Sequence, residues 1–177
     1  MKKNTLLILC EVAVMAALSF ALGMIKLIPM PYGGSITAGE MVPIFIVAFR
    51  RGPVWGMACG LASGVMQFVL NGYMIHWASP IFDYFLAFAL LGVAGFFIKR
   101  GNVAAGAGMA LGALLRFSSH LIAGVVFWSS YAGEMNPWLY SFLYNGAYML
   151  PEFAISAVII IVLRKYANRV FTFGTNW

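Results

Sequence analysis

The chain has 177 residues, of which 63% are hydrophobic, 16% aromatic and 9% charged, and its net charge is +6. A mean hydropathy of +0.91 is far above what a soluble core of this length needs, so the composition excludes a soluble globular domain and specifies an integral membrane protein. The surplus cations flank apolar runs, which removes the usual argument for nucleic-acid binding.

Lys2 and Lys3 precede an apolar run that is too long for a signal peptide and lacks a small-x-small cleavage site. It reads as the first transmembrane helix, Thr5 to Ile28. Turn and charge clusters divide the remainder into further spans over Gly39 to Phe49, Pro53 to Leu70, Pro80 to Ile98, Val103 to Trp128 and Trp138 to Leu163. The second holds Pro43 and rises only about 16 Å, so it crosses in part or is completed by irregular chain. The expected architecture is an all-α bundle of six transmembrane helices forming one membrane domain over 1–177.

The cationic clusters set the direction of the bundle. Lys2 with Lys3, Arg50 with Arg51, Lys99 with Arg100, and Arg164, Lys165 and Arg169 all fall on one side of a six-span chain, which the positive-inside rule makes cytoplasmic. Both termini are then cytoplasmic. The outer loops are Pro29 to Ala38, Asn71 to Ser79 and Ser129 to Pro137, rich in Gly, Pro and aromatic residues. Cys10 and Cys59 lie inside apolar runs and read as packing residues.

Small residues recur every fourth position at Ala13, Ala17 and Ala21, at Gly56, Gly60 and Gly64, and at Ala104, Gly108 and Gly112. Such spacing puts them on one face and permits close helix approach. The glycine-rich stripes read as internal packing. The alanine stripe faces either lipid or a partner membrane protein.

Ionisable groups inside spans need a reason. Glu11 reads as structural or partner-facing. Glu40 opens the second helix, where exposed amides favour a carboxylate, and Arg116 requires an acidic partner or helix-terminal carbonyls. Asp83 begins the fourth helix beside Tyr84, after a loop containing Tyr73, His76 and Trp77. His120, Gly124 and Trp128 follow at four-residue spacing on the fifth helix, and Trp138, Tyr140 and Asn145 enter the same layer on the sixth. An interfacial aromatic belt accounts for Trp77, Tyr131 and Trp138. It does not account for Asp83, His120 and Asn145. A carboxylate among aromatic faces suits a flat organic cation, with Asn and His supplying polar contacts to a heterocycle.

No phosphate-gripping G-x-x-x-x-G-K-[ST], H-E-x-x-H, cysteine pair or G-x-S-x-G occurs, so ATP hydrolysis, metal-dependent hydrolysis and acyl transfer find no support, and no cofactor or metal is expected.

The chain resembles the thiamine-specific substrate-binding subunit, or S component, of energy-coupling factor (ECF) vitamin transporters over nearly its whole length. The markers are E-V-A-V-M-A-A-L-S (Glu11 to Ser19), P-I-F-I-V-A-F-R-R-G (Pro43 to Gly52), F-D-Y-F-L-A-F (Phe82 to Phe88), L-L-R-F-S-S-H-L-I-A-G-V-V-F-W (Leu114 to Trp128) and P-W-L-Y-S-F-L-Y-N (Pro137 to Asn145). The resemblance implies a multi-pass subunit of a prokaryotic cell membrane that captures thiamine (vitamin B1) from outside. It implies ligand contacts at Asp83, Tyr84, His120, Gly124, Trp128, Tyr140 and Asn145, and at Tyr73 from a variable loop. Its partners would be a transmembrane coupling subunit, docked at Ala13 and Ala17, and two cytoplasmic ATPases that drive uptake. Two departures stand out. The acid that is Glu in some such proteins is Asp83 here, and the first outer loop has Tyr32 and glycines where a stacking Trp is expected.

A self-sufficient secondary transporter, with Asp83, His120 and Arg116 relaying protons, is the alternative. No inverted repeat with paired broken segments supports it. An intramembrane enzyme would need a nucleophile or metal that the sequence does not offer.

Overall fold

The computed structural model describes residues 3–172, so Lys2 of the first cationic cluster lies outside the described residues. In chain order the elements are α1 (Lys3–Met24), a hairpin of β1 (Lys26–Pro29) and β2 (Ser35–Thr37), α2 (Met41–Arg51) and α3 (Pro53–Asn71). There follow α4, α5 (Asn102–Val126), α6 (Pro137–Tyr166) and the short α7 (Arg169–Thr172). The rod α4 is wound in three ways: π-helical over Ile81–Leu86, α-helical over Ala87–Leu90 and 3-10 over Leu91–Arg100.

The protein is helical, as expected, apart from the hairpin. Among the described residues α1, α3, α4, α5 and α6 are long and apolar enough to cross a membrane. The second expected span, α2, differs in kind. It has 11 residues, and Met41 through Phe49 are all buried. With apolar side chains on every side it cannot present a polar face to anything, and the longer helices enclose it.

The first expected helix runs too far. It stops at Met24, and Lys26 to Pro29 turn into the antiparallel hairpin, with Ile28 opposite Ile36 and Pro29 opposite Ser35. Pro29 and Pro31 cannot donate backbone hydrogen bonds, and Gly33 at φ 100° takes a turn conformation closed to most residues. The fifth helix is also shorter than expected, because α5 ends at Val126 and leaves Trp128 beyond it. The start of α6 follows its sequence closely: Asn136 accepts from the Trp138 and Leu139 amides, and Pro137 occupies the first turn.

Contacts gather the described cationic clusters at one end of the bundle. Glu11 of α1 pairs with Arg50 at 3.1 Å and with Arg51 at 2.6 Å. A methyl at Gly95 near the end of α4 would meet Gly52 and Pro53, and the Arg164 guanidinium lies 6.0 Å from the Phe49 ring. Glu11 is therefore a clamp between α1 and the α2–α3 corner.

The glycine stripes pack helices, as expected. A Cβ on Gly56 would approach the Gly92 Cα to 3.0 Å, and one on Gly60 would meet the Phe88 carbonyl and the Ala89 Cα. Gly108 and Gly112 face Phe97 and Leu91 in the same way. The alanine stripe behaves differently. Ala13, Ala17 and Ala21 are exposed, while Val12, Ala16 and Ser19 turn inward. Gly60→Ala is expected to lower stability by about 1–3 kcal/mol through this overlap, while Gly146→Ala, where a Cβ meets nothing within 4 Å, leaves the thermal unfolding midpoint of the purified protein unchanged or raised.

Candidate functional site

At the end of the bundle remote from the cationic clusters, the hairpin, the loops and five helices surround a cavity of about 200 Å³. Its walls are built by α3, α4, α5, α6 and the end of α1, and the hairpin turn covers it.

The first wall comes from the π-helical start of α4. Such a turn widens the helix and leaves carbonyls misaligned, and it is common at functional sites. Here the Ser119 hydroxyl of α5 donates to the Phe82 carbonyl at 2.6 Å, pinning the wide turn, and the adjacent Asp83 and Tyr84 both line the cavity.

Asp83 holds the centre of a short network. Trp128 Nε1 donates to its Oδ2 at 2.9 Å, and His120 Nδ1 lies 3.3 Å from Oδ1. Arg116 Nε donates to His120 Nε2 at 3.5 Å. A guanidinium can only donate, so in this contact Nε2 accepts and the His120 ring turns Nδ1 toward Asp83. Arg116, in turn, is paired with Glu40 at 2.5 Å. Among the described residues no Lys or Arg lies within ion-pair distance of Asp83.

Glu40 has a different role from the expected helix-terminal one. Its side chain makes no capping bond; besides Arg116 it accepts from Gln67 Nε2 at 3.2 Å. Both Glu40 and Arg116 are buried, and the Arg116 guanidinium stacks 4.1 Å from the Phe88 ring centre. Sequence reasoning missed a neighbouring acid, Glu152. It is 1% exposed and accepts from the Thr37 amide at 2.5 Å and the Thr37 hydroxyl at 2.8 Å, tying the hairpin to α6. A lone carboxylate after Pro151 in an apolar run was the available signal.

The opposite wall is α6. Tyr140, Tyr144 and Tyr148 form a ladder with ring centres 5.9 Å and 5.8 Å apart, the i, i+4 spacing of one helix face. Asn145 sits beside it, its Nδ2 donating to the Ser141 carbonyl at 2.8 Å and its Oδ1 accepting from the Tyr148 hydroxyl at 2.8 Å. Gly124 permits this arrangement, because a Cβ there would come within 2.9 Å of the Ser141 Cβ.

At the mouth the hairpin turn presents Tyr32, in the left-handed region at φ 61°, with its ring 4.5 Å from Tyr131. The Tyr144 hydroxyl accepts from the Gly34 amide at 3.0 Å and donates to the Pro31 carbonyl. Tyr32 thus occupies the loop where a Trp was expected, and Tyr144 clasps the loop down.

Of the residues singled out in the sequence, Asp83, Tyr84, His120, Gly124, Trp128, Tyr140 and Asn145 line the one cavity. Tyr73 does not. It stands behind the wall, its amide donating to the Tyr84 hydroxyl at 3.1 Å and its ring 5.5 Å from Trp128. Tyr131, assigned to the aromatic belt, belongs to the cavity mouth instead, whereas Trp77 and Trp138 are exposed, 75% and 57%, as a belt requires.

The chain matches the family described as "Thiamine transporter protein (Thia_YuaJ)" over residues 9–172. It is 34% identical to the thiamine transporter ThiT of Bacillus subtilis over 178 aligned positions, covering 92% of each chain. It is 32% identical to the ThiT of Lacticaseibacillus paracasei, covering 94% of this chain and 90% of that one. A solved structure of ThiT from Listeria monocytogenes superposes with a TM-score of 0.88 at 30% identity, covering 96% of this chain and all of that one.

Breaking the buried pair alone strands a charge, so Glu40→Gln is expected to cost about 3–5 kcal/mol. Adding Arg116→Gln should restore part of that loss in thermal unfolding of the purified protein, and a double variant less stable than Glu40→Gln would contradict the pairing.

Proposed function

Because the chain belongs to the thiamine transporter protein family, we propose that it is the thiamine-binding subunit of an ECF-type transporter, capturing extracellular thiamine in the cavity between α3, α4, α5 and α6. It is a multi-pass protein of a prokaryotic cell membrane, and its role is transport rather than catalysis.

The observation that carries the reading is the Asp83 carboxylate, which among the described residues meets His120 and Trp128 and no Lys or Arg within ion-pair distance, in a cavity that aromatic rings help to wall. Thiamine pairs a cationic thiazolium with a neutral aminopyrimidine. The thiazolium rests near Asp83, Tyr84 and Trp128, where charge attraction and ring quadrupoles act together away from bulk water. Tyr140, Asn145 and the Gly124 backbone take the pyrimidine. His120 orients the carboxylate, Tyr73 supports Tyr84 and Trp128 from behind, and Tyr32 closes the mouth.

In the membrane the chain forms one domain of six helical passes, with α2 and the hairpin together filling the second pass and both termini cytoplasmic. The loops around the cavity then face outward and the cationic clusters inward. The exposed Ala13 and Ala17 stripe is the docking face for a transmembrane coupling subunit, whose close approach small side chains permit. Two cytoplasmic ATPases complete the transporter.

Thiamine added to the purified protein should quench tryptophan emission, chiefly that of Trp128. Asp83→Asn should weaken binding by about 1–3 kcal/mol, as for a lost charge-assisted contact. Unchanged affinity would remove Asp83 from the site, and a different vitamin binding in thiamine's place would overturn the substrate assignment.

A further inference from the structure

A second cavity, of about 380 Å³, opens between the start of α5 and the end of α6, lined by Asn102, Gly106, Met109, Ile160, Ile161, Arg164 and Lys165. It lies at the cationic end, far from the site above. Its inner wall is apolar: Met109 and Ile160 are 4% and 2% exposed. Gly106 leaves the groove open on the α5 side, since a Cβ there would meet nothing within 4 Å.

The mouth of the groove is cationic. Arg164 and Lys165 form the last basic turn of α6, and among the described residues neither is within ion-pair distance of a carboxylate. Arg164 instead lies over the Phe49 and Phe171 rings at 6.0 Å and 5.8 Å. The 30 residues of α6 span about 45 Å, well beyond a hydrocarbon core of about 30 Å, so its last turn reaches the headgroup layer. The first amides of α5, at Asn102, add partial positive charge beside the same mouth.

An apolar slot below two cations that meet aromatic rings but no carboxylate among the described residues, at headgroup depth, has the charge pattern of one kind of molecule in its surroundings. We propose that this groove binds an anionic phospholipid of the bilayer, its phosphate held by Arg164 and Lys165 and one acyl chain laid along Met109, Ile160 and Ile161. Basic recesses between membrane helices take acidic lipid headgroups by this combination of charge and apolar contact. The bound lipid bridges α5 and α6 at the end opposite the cavity, so it steadies the helix pair that supplies His120 and Asn145.

The test is native mass spectrometry of the full chain released from nanodiscs containing equal amounts of phosphatidylglycerol and phosphatidylcholine. Wild type should retain phosphatidylglycerol in clear excess. In Arg164→Gln and Lys165→Gln variants the enrichment should fall about fivefold per cation, equivalent to about 1 kcal/mol each. Gly106→Leu, which fills the slot without touching a charge, should also lose the lipid while circular dichroism shows the same helix content. Equal retention of both lipids, or undiminished phosphatidylglycerol in folded Gly106→Leu and in the charge variants, overturns the proposal. So does a phosphate adduct of equal abundance from phosphatidylcholine nanodiscs supplied with inorganic phosphate, because that identifies a free-anion site.

Discussion

The arrangement rests on a buried ion pair between Glu40 and Arg116, 2.5 Å apart and closed off from solvent. Taking both charges out of water is costly, and their attraction offsets that cost only when the remaining polar atoms are also satisfied. The surroundings supply part of this: Gln67 donates to Glu40 and Phe88 covers the guanidinium, while Arg116 Nη1 is buried with no hydrogen-bond partner among the described residues; Ser19 anchors the Glu40 backbone carbonyl at 2.6 Å. One pair therefore ties α1, α3 and α5 to the start of α2. Through Arg116 it also orients the His120 ring and, through His120, Asp83.

Under the proposed function, that chain of bonds makes the site selective for charge. If Arg116 were matched to Asp83 directly, the cavity would hold a neutral pair and little reason to admit a cation. With Arg116 already matched to Glu40, the carboxylate is held in place by Trp128 and His120 rather than by a guanidinium. The aromatic walls then raise the value of that charge by excluding water. The tyrosine ladder of α6 and the Tyr32–Tyr131 contact surround it with ring faces suited to a delocalised cation.

Much of this was legible in the sequence because membrane burial makes each polar side chain conspicuous. Asp83, His120 and Asn145 stood out for that reason, and four-residue spacing carried Gly124 and Trp128 along with His120. The partner of Arg116 was not legible. Glu40 lies 76 positions away, on a short helix whose opening turn offered a sufficient local explanation. Glu152 was hidden by the same effect, since its partner Thr37 sits in a hairpin that the continuous apolar run from Thr5 to Ile28 disguised as helix. The boundary failed because prolines and glycines that end a helix lie just past the last apolar residue, so hydropathy continues while backbone geometry changes. Tyr131 and Tyr144 were obscured for another reason: interfacial tyrosines are common, and only the fold separates a belt residue from one that closes a cavity.

The most direct test of the account is whether Asp83 recognises the ligand's charge rather than its shape. Isothermal titration would compare thiamine with an isosteric analogue whose thiazolium is replaced by a neutral aromatic ring, on wild type and on Asp83→Asn. The account predicts that the substitution weakens thiamine about tenfold or more, equivalent to about 1.4 kcal/mol, and leaves the neutral analogue's affinity nearly unchanged. An equal loss for both ligands would contradict it.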